Sequence, residues 1–242
     1  MKVSIITVCY NSASTLADAM DSVLCQSWPD IEYIVVDGGS EPSFNGRMRW
    51  ISEPDQGIYD AMNKGIRMSS GAIVGILNSD DQMATPEVIE RMVAAFTKDL
   101  DAVYGDVQYV KQDLTSHARF YSSRWFSPSL LSFGFMPHHA SFYARRELFD
   151  RYGYYDPTYR ISGDFELVAR FIGVYHIRTS YLHQTFVRMR TGGVSTRGLS
   201  SIKIGTEENL RALRELHIST CWAKVWIGKY LIKILSMLLV RS

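Results

Sequence analysis

The stretch VSIITVCYNSASTLADAMDSVLCQSWPDIEYIVVDGGS, residues 3–40, decides the fold. Residues 3–9 form an apolar run rich in β-branched side chains, and residues 14–26 then repeat apolar side chains at helical spacing. A second apolar run follows at 31–36. Strands without polar interruptions are typical of a sheet that is covered on both faces. The stretch therefore predicts a β-α-β unit.

The same alternation continues along the first half of the chain. We predict strands at 48–52, 72–77 and 102–104 and helices at 58–68 and 86–97, the last with Pro86 in its first turn and Thr85 as its cap. Such a pattern predicts a mostly parallel sheet with helices on both faces, which binds ligands at the carboxyl ends of its strands. The acidic residues that fall at those ends are Asp37, Glu53, Asp80 and Asp81.

The second half of the chain is less regular. We expect residues 107–143 to form loops and short strands that build a substrate wall. The remaining predicted elements are helices at 145–151 and 164–172 and strands at 175–178 and 185–189. No internal repeat and no linker rich in Gly, Ser or Pro interrupts the sequence, which predicts one domain with a C-terminal helical extension.

The charge is unevenly distributed along the chain. The formal net charge of the 242 residues is +1, which argues against a general nucleic-acid binder. From Arg188 onward, however, there are ten Lys and Arg against three Asp and Glu. This basic part predicts contact with an anionic surface or a phosphate group.

Two features point to the cytoplasm. The three cysteines, Cys9, Cys25 and Cys221, are widely spaced and lack a metal-type pairing, which favours a reducing compartment. A signal peptide needs an apolar region of ~7–15 residues followed by a small-residue cleavage site, and the run at 3–9 is better explained as a buried strand.

Asp80 and Asp81 are neighbours at the end of a predicted strand. Two adjacent carboxylates repel each other unless a positive partner is present. Mg²⁺ or Mn²⁺ is commonly held by one or two carboxylates, with water and substrate phosphates completing its shell. Alternatively, one aspartate caps the following turn and the other is solvated. The spacing alone leaves both interpretations open.

Asp37 raises a competing interpretation. An acid at the tip of the second strand of a β-α-β unit contacts the ribose in dinucleotide-dependent dehydrogenases. The turn after the first strand reads CYNSASTL and has no glycine, so a phosphate cannot approach its backbone as it does in G-x-G-x-x-G. This absence disfavours a dehydrogenase.

Seven motifs in order carry a resemblance to a known family. They are VSIITVCYN (3–11), IVVDGGS (34–40), SEPDQGIYDAMNKGI (52–66), GAIVGILNSDD (71–81), HHASFYARRELF (138–149), ISGDFELVARF (161–171) and GGVST (192–196). The chain from residue 3 to about 196 resembles the family 2 glycosyltransferases with a GT-A fold, in particular the WcaE-like branch that builds bacterial exopolysaccharide and O-antigen repeat units. The resemblance implies an α/β, Rossmann-like, mostly parallel sheet flanked by helices.

The resemblance also implies a domain division and a donor site. The glycosyltransferase domain would cover 1–199, with a nucleotide-sugar-binding half at 1–106, an acceptor-side half at 107–199 and a helical extension at 200–242. The implied donor-binding residues are Thr7, Tyr10, Asp37, Glu53, Asp55, Asn63, Lys64, Asn78 and Asp80. The family's D-x-D signature falls on Asn78, Asp80 and Asp81. Its first aspartate is replaced by Asn78, so both Asp80 and Asp81 are kept as ligands of Mn²⁺ or Mg²⁺.

The resemblance places the catalytic base at Asp164. A carboxylate within hydrogen-bond reach of the acceptor hydroxyl takes its proton and typically contributes ~10²–10⁴-fold in rate. Many family members carry an acidic residue just before this aspartate, where this chain has Gly163. Asp164 is equally compatible with a helix N-cap. Glu166 is a weaker candidate for the base.

Three further residues are weaker candidates for contact with substrates. His138 and His139 resemble the family's acceptor-side loop, although histidines in an aromatic-rich stretch can equally be packed and satisfied. Arg190 belongs with Arg188 to RMRTGGVST, which resembles a loop that closes on the donor in relatives. Arginines suit phosphate oxygens, but surface arginines beside an ordinary turn are the alternative.

The tail from 221 to 240 is apolar enough to raise the question of a membrane helix. Lys224, Lys229 and Lys233 interrupt it, and a central lysine costs ~2.5–3.5 kcal/mol on insertion scales. We therefore expect a helix that lies in the interface of an anionic bilayer. The alternative is that it packs on its own domain or on a second copy of the chain.

These observations predict an inverting glycosyltransferase. It would move a sugar from a nucleoside diphosphate to a hydroxyl of a lipid-linked glycan in the biosynthesis of a bacterial surface polysaccharide. The expected location is the cytoplasm, at the inner face of the plasma membrane, without a nucleic-acid partner. The alternative is a sugar-nucleotide-binding assembly partner without transferase activity.

Overall fold

The computed structural model describes residues 1–38, 48–113, 116–192, 198–228 and 231. Its strands are β1 (Val3–Cys9), β2 (Ile31–Asp37), β3 (Arg49–Ser52), β4 (Ile73–Ile76), β5 (Asp81–Met83), β6 (Ala102–Val110), β7 (His117–Tyr121), β8 (Phe142–Arg145) and β9 (Thr179–Arg190). Its α-helices are α1 (Ala13–Leu24), α2 (Ile58–Met68), α3 (Val88–Ala95), α4 (Glu147–Tyr152), α5 (Gly163–Ala169) and α6 (Gly198–Glu215). The described elements also include two 3-10 helices, Pro128–Phe133 and His139–Ser141, a π-helix, Arg170–Val174, and a helix at 222–228.

Within the described residues, nine strands form one sheet. Its order is β3-β2-β1-β4-β8-β6-β9-β5, and β7 pairs with β6 outside this path. Strands β3, β2, β1 and β4 run parallel to one another, which confirms the predicted parallel arrangement. β8 is inserted antiparallel between β4 and β6. The carboxyl ends of β1, β2 and β4 therefore meet at one edge of the sheet.

The parallel half of the sheet is covered on both faces. Ile6 and Val8 of β1 pack into one core with α2 and α5, whereas Val3 and Ile5 pack into a second core with α1 and α3. All four of these side chains are buried. This two-sided burial is the physical reason for the apolar runs in β1 and β2.

The second half of the sheet is more regular than its sequence indicates. The predicted strand at 102–104 continues to Val110 and pairs with β7, in the region where loops and short strands were expected. The predicted strand at 175–178 is wrong, because the π-helix is followed by His176 with a φ of 50°. The strand predicted at 185–189 is part of β9, which runs without a break over twelve residues.

The predicted helices are present with shifted boundaries. α2 has the predicted bounds. α3 begins at Val88 with Glu87 as its N-cap, so neither Pro86 nor Thr85 takes its predicted position. α5 ends at Ala169, where the chain changes to π-helical geometry.

The C-terminal part of the chain packs against the main core. Leu210, Ala212 and Leu213 of α6 are buried there together with α5. A further helix at 222–228 buries Val225 and exposes Trp222 and Trp226. Among the described residues, the helices are too short or too polar for any of them to cross a membrane. Residues 229–230 and 232–242, which include Lys229 and Lys233, lie outside the described residues, and the division at 199 remains a prediction.

Candidate active site

Asp81 lies at the carboxyl edge of the sheet, one short turn after β4. The turn is closed by a hydrogen bond of 3.1 Å from the backbone N–H of Asp81 to the carbonyl of Asn78. The Asn78 side-chain amide donates to Oδ2 of Asp81 at 3.0 Å. The Asp81 side chain is fully buried, and burial together with the neighbouring charge of Asp80 raises its pKa to about 8. A carboxylate in this position calls for a positive partner.

Two buried oxygens at this corner lack a hydrogen-bond partner among the described residues. They are Oδ1 of Asp81 and Oδ1 of Asn78. Buried polar atoms normally have a hydrogen-bond partner, and a bound cation would explain two buried oxygens without one. The described residues contain no group of three or more His, Cys, Asp and Glu set to hold a metal. A hard divalent cation needs only one or two carboxylates when waters and phosphates complete its shell. The residues at this corner therefore fit a divalent cation.

Arg190 stabilises the same corner from the end of β9. Its side chain is buried, and Nη1 donates to the backbone carbonyl of Asp80 at 2.9 Å. Its other terminal nitrogen, Nη2, forms an ion pair with Asp18 of α1. This guanidinium is thus engaged with protein groups and holds the backbone beside Asp81, while Arg188 is exposed. Gly193 and residues 194–197 of the expected closing loop lie outside the described residues.

Asp164 stands in the first turn of α5. Its Oδ2 lies 2.9 Å from Nδ1 of His139, and its Oδ1 accepts from the backbone N–H of Phe165 at 2.8 Å. The side chain keeps 17% of its surface exposed. The N-cap position of α5 is held by Ser162, so Asp164 is not the capping residue. Asp164 is therefore accessible and oriented by a neighbouring imidazole.

His139 joins the acidic corner to Asp164. Its Nε2 lies 3.3 Å from the side-chain nitrogen of Asn78, and an amide nitrogen only donates. In the neutral imidazole, Nε2 is then the acceptor and the ring proton is on Nδ1, toward Asp164. Burial lowers the pKa of His139, but the hydrogen bond with Asp164 and the charges of Asp81 and Asp80 outweigh it, and the pKa is raised overall.

His138 has a different environment. Its Nε2 lies 3.0 Å from the hydroxyl of Tyr109, and its ring stacks on His139 at a centroid distance of 4.8 Å. The guanidinium of Arg119 lies 3.7 Å from the centre of the Tyr109 ring. Burial, together with the nearby His139 and Arg119, lowers the pKa of His138 well below its ordinary value. A neutral, packed histidine follows from these contacts, and it supports its neighbour His139.

A tyrosine occupies the space beside Gly163. A Cβ added to Gly163 would lie 2.8 Å from Cε2 of Tyr59, which no real Cβ tolerates. The Tyr59 ring stacks on Tyr155 at 5.6 Å, and its hydroxyl donates to the carbonyl of Ile161 at 2.6 Å. This packing explains why the residue before Asp164 is glycine in this chain.

Tyr10, Gly38 and Asp55 lie together at the opening of the predicted donor site. A Cβ on Gly38 would lie 2.6 Å from Oδ2 of Asp55 and 3.0 Å from the Tyr10 ring, so these three residues converge. Tyr10 keeps 70% of its surface exposed. Asp37 is buried directly behind them, and Ser52 donates to its Oδ2 at 3.4 Å.

The loop before α2 is braced by charged side chains. Lys64 forms ion pairs with Glu53 at 3.1 Å and Asp60 at 3.6 Å. Its ammonium also donates to the carbonyl of Pro54 at 2.6 Å. Oδ1 of Asp55 accepts from the backbone N–H of Gly57 at 2.9 Å. These contacts give the predicted donor loop a defined shape.

Three predicted site residues lie inside the protein. The Thr7 hydroxyl is buried and accepts from Tyr33 at 3.0 Å. The Asn63 amide exchanges two hydrogen bonds, of 2.8 and 2.9 Å, with the backbone of Tyr155. Glu166 is buried in an ion pair of 2.8 Å with Arg170. Arg170 also donates to the carbonyls of three consecutive residues, Tyr152, Gly153 and Tyr154. The structure does not bring these side chains to the open part of the site.

The sequence and the fold correspond to a known class of enzyme. Residues 4–161 match the Glycosyl transferase family 2, and the chain belongs to this family. It has the mixed α/β GT-A glycosyltransferase fold, with a curled sheet flanked by helices. A PGL/p-HBAD biosynthesis glycosyltransferase of Mycobacterium bovis is 32% identical over 194 residues, which cover 74% of this chain and 73% of the relative. Chondroitin synthase of Pasteurella multocida is 31% identical over 57% of this chain and 15% of its own length.

Solved structures show the same fold. S. aureus TarS 1-349 in complex with UDP-GlcNAc has a TM-score of 0.65 at 17% identity, over 89% of this chain and 65% of that one. The mannosyltransferase PcManGT from Pyrobaculum calidifontis, in complex with GDP-Man and Mn²⁺, has a TM-score of 0.64 at 17% identity, over 96% and 69%. The chain thus spans about two thirds of the length of these two proteins. At such identities the likeness concerns the fold.

Proposed function

We propose that the protein is an inverting, metal-dependent hexosyltransferase of bacterial surface-polysaccharide synthesis, of the WcaE-like branch. Its donor is a nucleoside-diphosphate sugar and its acceptor is a hydroxyl of a lipid-linked glycan. The observation that carries the proposal is the short chain of contacts from Asp81 through Asn78 and His139 to Asp164. It sets a corner suited to a cation and a diphosphate beside a carboxylate that can take a proton.

The reaction would proceed as a single displacement. Asp164 accepts the proton of the acceptor hydroxyl while that oxygen bonds to the anomeric carbon and the bond from this carbon to the diphosphate breaks. The configuration at the anomeric carbon inverts, and the nucleoside diphosphate leaves with the bonding electrons. A Mn²⁺ or Mg²⁺ bound by Asp80 and Asp81 would offset the negative charge of the leaving group. His139 holds the Asp164 carboxylate in place through the 2.9 Å contact.

The donor side would be formed by Tyr10, Asp37 and the loop that contains Asp55. Tyr10 is exposed at the mouth and Asp37 lies behind it at the end of β2. This arrangement supports contact with the nucleobase and ribose. The neighbours with bound UDP-GlcNAc and GDP-Man support a nucleotide-sugar donor but differ in both base and sugar. A panel of UDP-, GDP- and dTDP-sugars is therefore the first screen.

The replacement of Asp164 by asparagine tests the proposal. Asp164→Asn should abolish transfer and leave metal-dependent donor binding intact, because the amide cannot take the proton. Glu147→Gln is the control, since Glu147 is exposed at the start of α4. Full transfer by Asp164→Asn would remove the base assignment. Donor binding by the wild type with no transfer to any lipid-linked acceptor would favour the alternative, a non-catalytic assembly partner.

We also propose that the helix at 222–228 contacts the inner face of the plasma membrane. Val225 is buried, and Lys224 lies 5.6 Å from the ring centre of Phe133, so one side packs on the domain. Trp222 and Trp226 stack on each other at 5.9 Å and are exposed. Exposed tryptophans beside lysines suit an anionic bilayer interface. Binding to phosphatidylserine vesicles, weakened by Trp222→Ala with Trp226→Ala, supports this contact; equal binding of both proteins contradicts it.

A further inference from the structure

The carboxylate of Glu208, on α6, forms hydrogen bonds with the backbone just before Asp164. Glu208 accepts hydrogen bonds from three consecutive backbone N–H groups: those of Arg160 at 2.8 Å, Ile161 at 2.9 Å and Ser162 at 2.8 Å. Hydrogen bonds to an ionised acceptor are about twice as strong as those between neutral groups. Ser162 is the N-cap residue of α5, and Asp164 follows two residues later. The anchored segment therefore leads directly into the first turn of α5.

The segment 160–162 has no regular secondary structure of its own. Its other described hydrogen bonds are few: Ser162 Oγ donates to the carbonyl of Gly205 at 3.1 Å, Tyr59 donates to the carbonyl of Ile161 at 2.6 Å, and the carbonyl of Ser162 accepts from the backbone N–H of Glu166 at 3.0 Å. Both Glu208 and Gly205 belong to α6. Four of the hydrogen bonds that hold this segment, three to Glu208 and one to Gly205, therefore come from α6.

We propose that Glu208 is a positioning residue that sets where the Asp164 carboxylate stands. The proposal rests on the role of Asp164 as the base in the proposed function. Glu208 does not contact the reacting atoms; it acts through the backbone of residues 160–162. A misplacement of about 1 Å in a reacting group can cost about 10²-fold in rate. Loss of three anchoring bonds next to the base is sufficient for a displacement of that kind.

Glu208 can be changed without removing α6 from the domain. The helix is docked by the buried side chains of Leu210, Ala212 and Leu213. Glu215 also accepts from the Tyr159 hydroxyl at 2.8 Å, which ties the end of α6 to the start of the loop. These contacts are independent of the Glu208 carboxylate. A variant at 208 should therefore keep its fold and lose the local anchor.

The test compares Glu208→Gln with Glu207→Gln. Glu207 is the adjacent residue on the exposed side of α6, and it forms an ion pair with Lys203 at 3.9 Å. The amide in Glu208→Gln keeps one oxygen acceptor but turns an NH₂ group toward backbone N–H groups. We expect kcat to fall about ten- to a hundredfold with an unchanged donor Kd, whereas Glu207→Gln matches the wild type. Glu208→Asp keeps the carboxylate, but its shorter side chain holds it farther from the backbone N–H groups. Its kcat should therefore lie between those of Glu208→Gln and Glu207→Gln.

Hydrogen exchange gives a readout that needs no substrate. The amides of residues 160–162 should exchange faster in Glu208→Gln than in the wild type and in Glu207→Gln.

The failures of the two proposals are distinguishable. Unchanged exchange at 160–162, or wild-type kcat in Glu208→Gln beside an inactive Asp164→Asn, overturns the role of Glu208. A general loss of stability with normal kcat in the folded fraction overturns it as well and makes Glu208 a purely structural residue. An active Asp164→Asn removes the proposed base, whatever the result at 208.

Discussion

His139 and Asp164 form a contact of 2.9 Å between Nδ1 and Oδ2 while the other ring nitrogen of His139 faces Asn78. One imidazole therefore touches both the residue that carries the proposed base and the residue that opens the acidic corner. Substitutions can test the contacts of the two ring nitrogens one at a time. An asparagine amide reaches about as far as Nδ1, and a glutamine amide about as far as Nε2.

We predict that His139→Asn retains more activity than His139→Gln. The asparagine keeps an N–H donor toward Asp164, whereas the glutamine keeps only the contact with Asn78. The expected loss in kcat is about 10²-fold for His139→Gln and smaller for His139→Asn. His183→Gln serves as the control because His183 is exposed on β9. Equal losses in both variants at 139 would show that the ring acts through its bulk alone.

A second prediction concerns Asp81 and metal binding. In thermal unfolding, Mn²⁺ with UDP or GDP should stabilise the wild type, since a ligand that binds only the native state raises its stability by about 2.7 kcal/mol at a hundredfold excess over Kd. Asp81→Asn should lose this response. Without metal, the same variant should be about as stable as the wild type at pH 7, because a pKa of about 8 leaves the buried Asp81 side chain mostly protonated there, and the amide is also uncharged. The control is Asp21→Asn on the exposed side of α1. A full metal response in Asp81→Asn would place the cation elsewhere.

A third prediction concerns the buried guanidinium of Arg190. Arg190→Gln leaves Asp18 unpaired and weakens the hold on the carbonyl of Asp80, which should cost about 1–3 kcal/mol in the free energy of unfolding. Arg188→Gln, two residues earlier and exposed, should cost little. A cycle with Asp18→Asn should give a coupling energy of about 0.5–3 kcal/mol in urea unfolding. Additive effects of the two changes would argue against the ion pair.

The fourth prediction is a pH dependence of stability that arises far from the site. Burial tends to raise the pKa of Glu32, but hydrogen bonds from Ser4 and Ser70 and the charge of Lys2 outweigh it and lower the pKa from 4.5 to about 2. The Glu32 side chain is only 9% exposed. Because the folded pKa lies below the unfolded value, the contribution is complete above about pH 4.5 and is lost as the pH falls toward 2.

Glu32→Gln should therefore be less stable than the wild type at pH 7 by at most about 3 kcal/mol. The difference should shrink between pH 4.5 and 2. Urea unfolding at several pH values, with Glu147→Gln as a control, measures this. A difference that stays constant down to pH 2 would contradict the assigned ionic role of Glu32.

The sequence predicts best what local patterns determine. The buried runs in β1 and β2 and the helix α2 are visible because their periodicity follows from burial on one or both faces. β6 and β9 are harder to predict, since β6 pairs with β8, about forty residues away, and with β9, more than seventy residues away. β6 is buried along almost its whole length and β9 has a mixed burial pattern, and both reflect neighbours that no local window contains.

The site shows the same division. The acidic corner and Asp164 follow from motifs, but Glu208 and Asp18 do not, because each matters through a partner that is distant in sequence. In the sequence, Asp18 is an acidic residue on the helix after the first strand. Such residues are too common to indicate a specific role. Conversely, Asn63 lies in a motif, but its side chain holds the backbone of Tyr155 inside the core.

The ring of Tyr59 lies against Gly163, so the side chains that fit at these two positions depend on each other, although the positions are more than a hundred residues apart in sequence. A side chain introduced at 163 has room only if the residue at 59 becomes smaller. Tyr59→Ala alone would leave a hole and free the carbonyl of Ile161, while a larger residue at 163 alone would push on the turn that holds Asp164. Homologous chains that carry an acid in the position of Gly163 should therefore lack the aromatic ring at the position of Tyr59. The side-chain sizes at these two positions should covary, one becoming larger where the other becomes smaller.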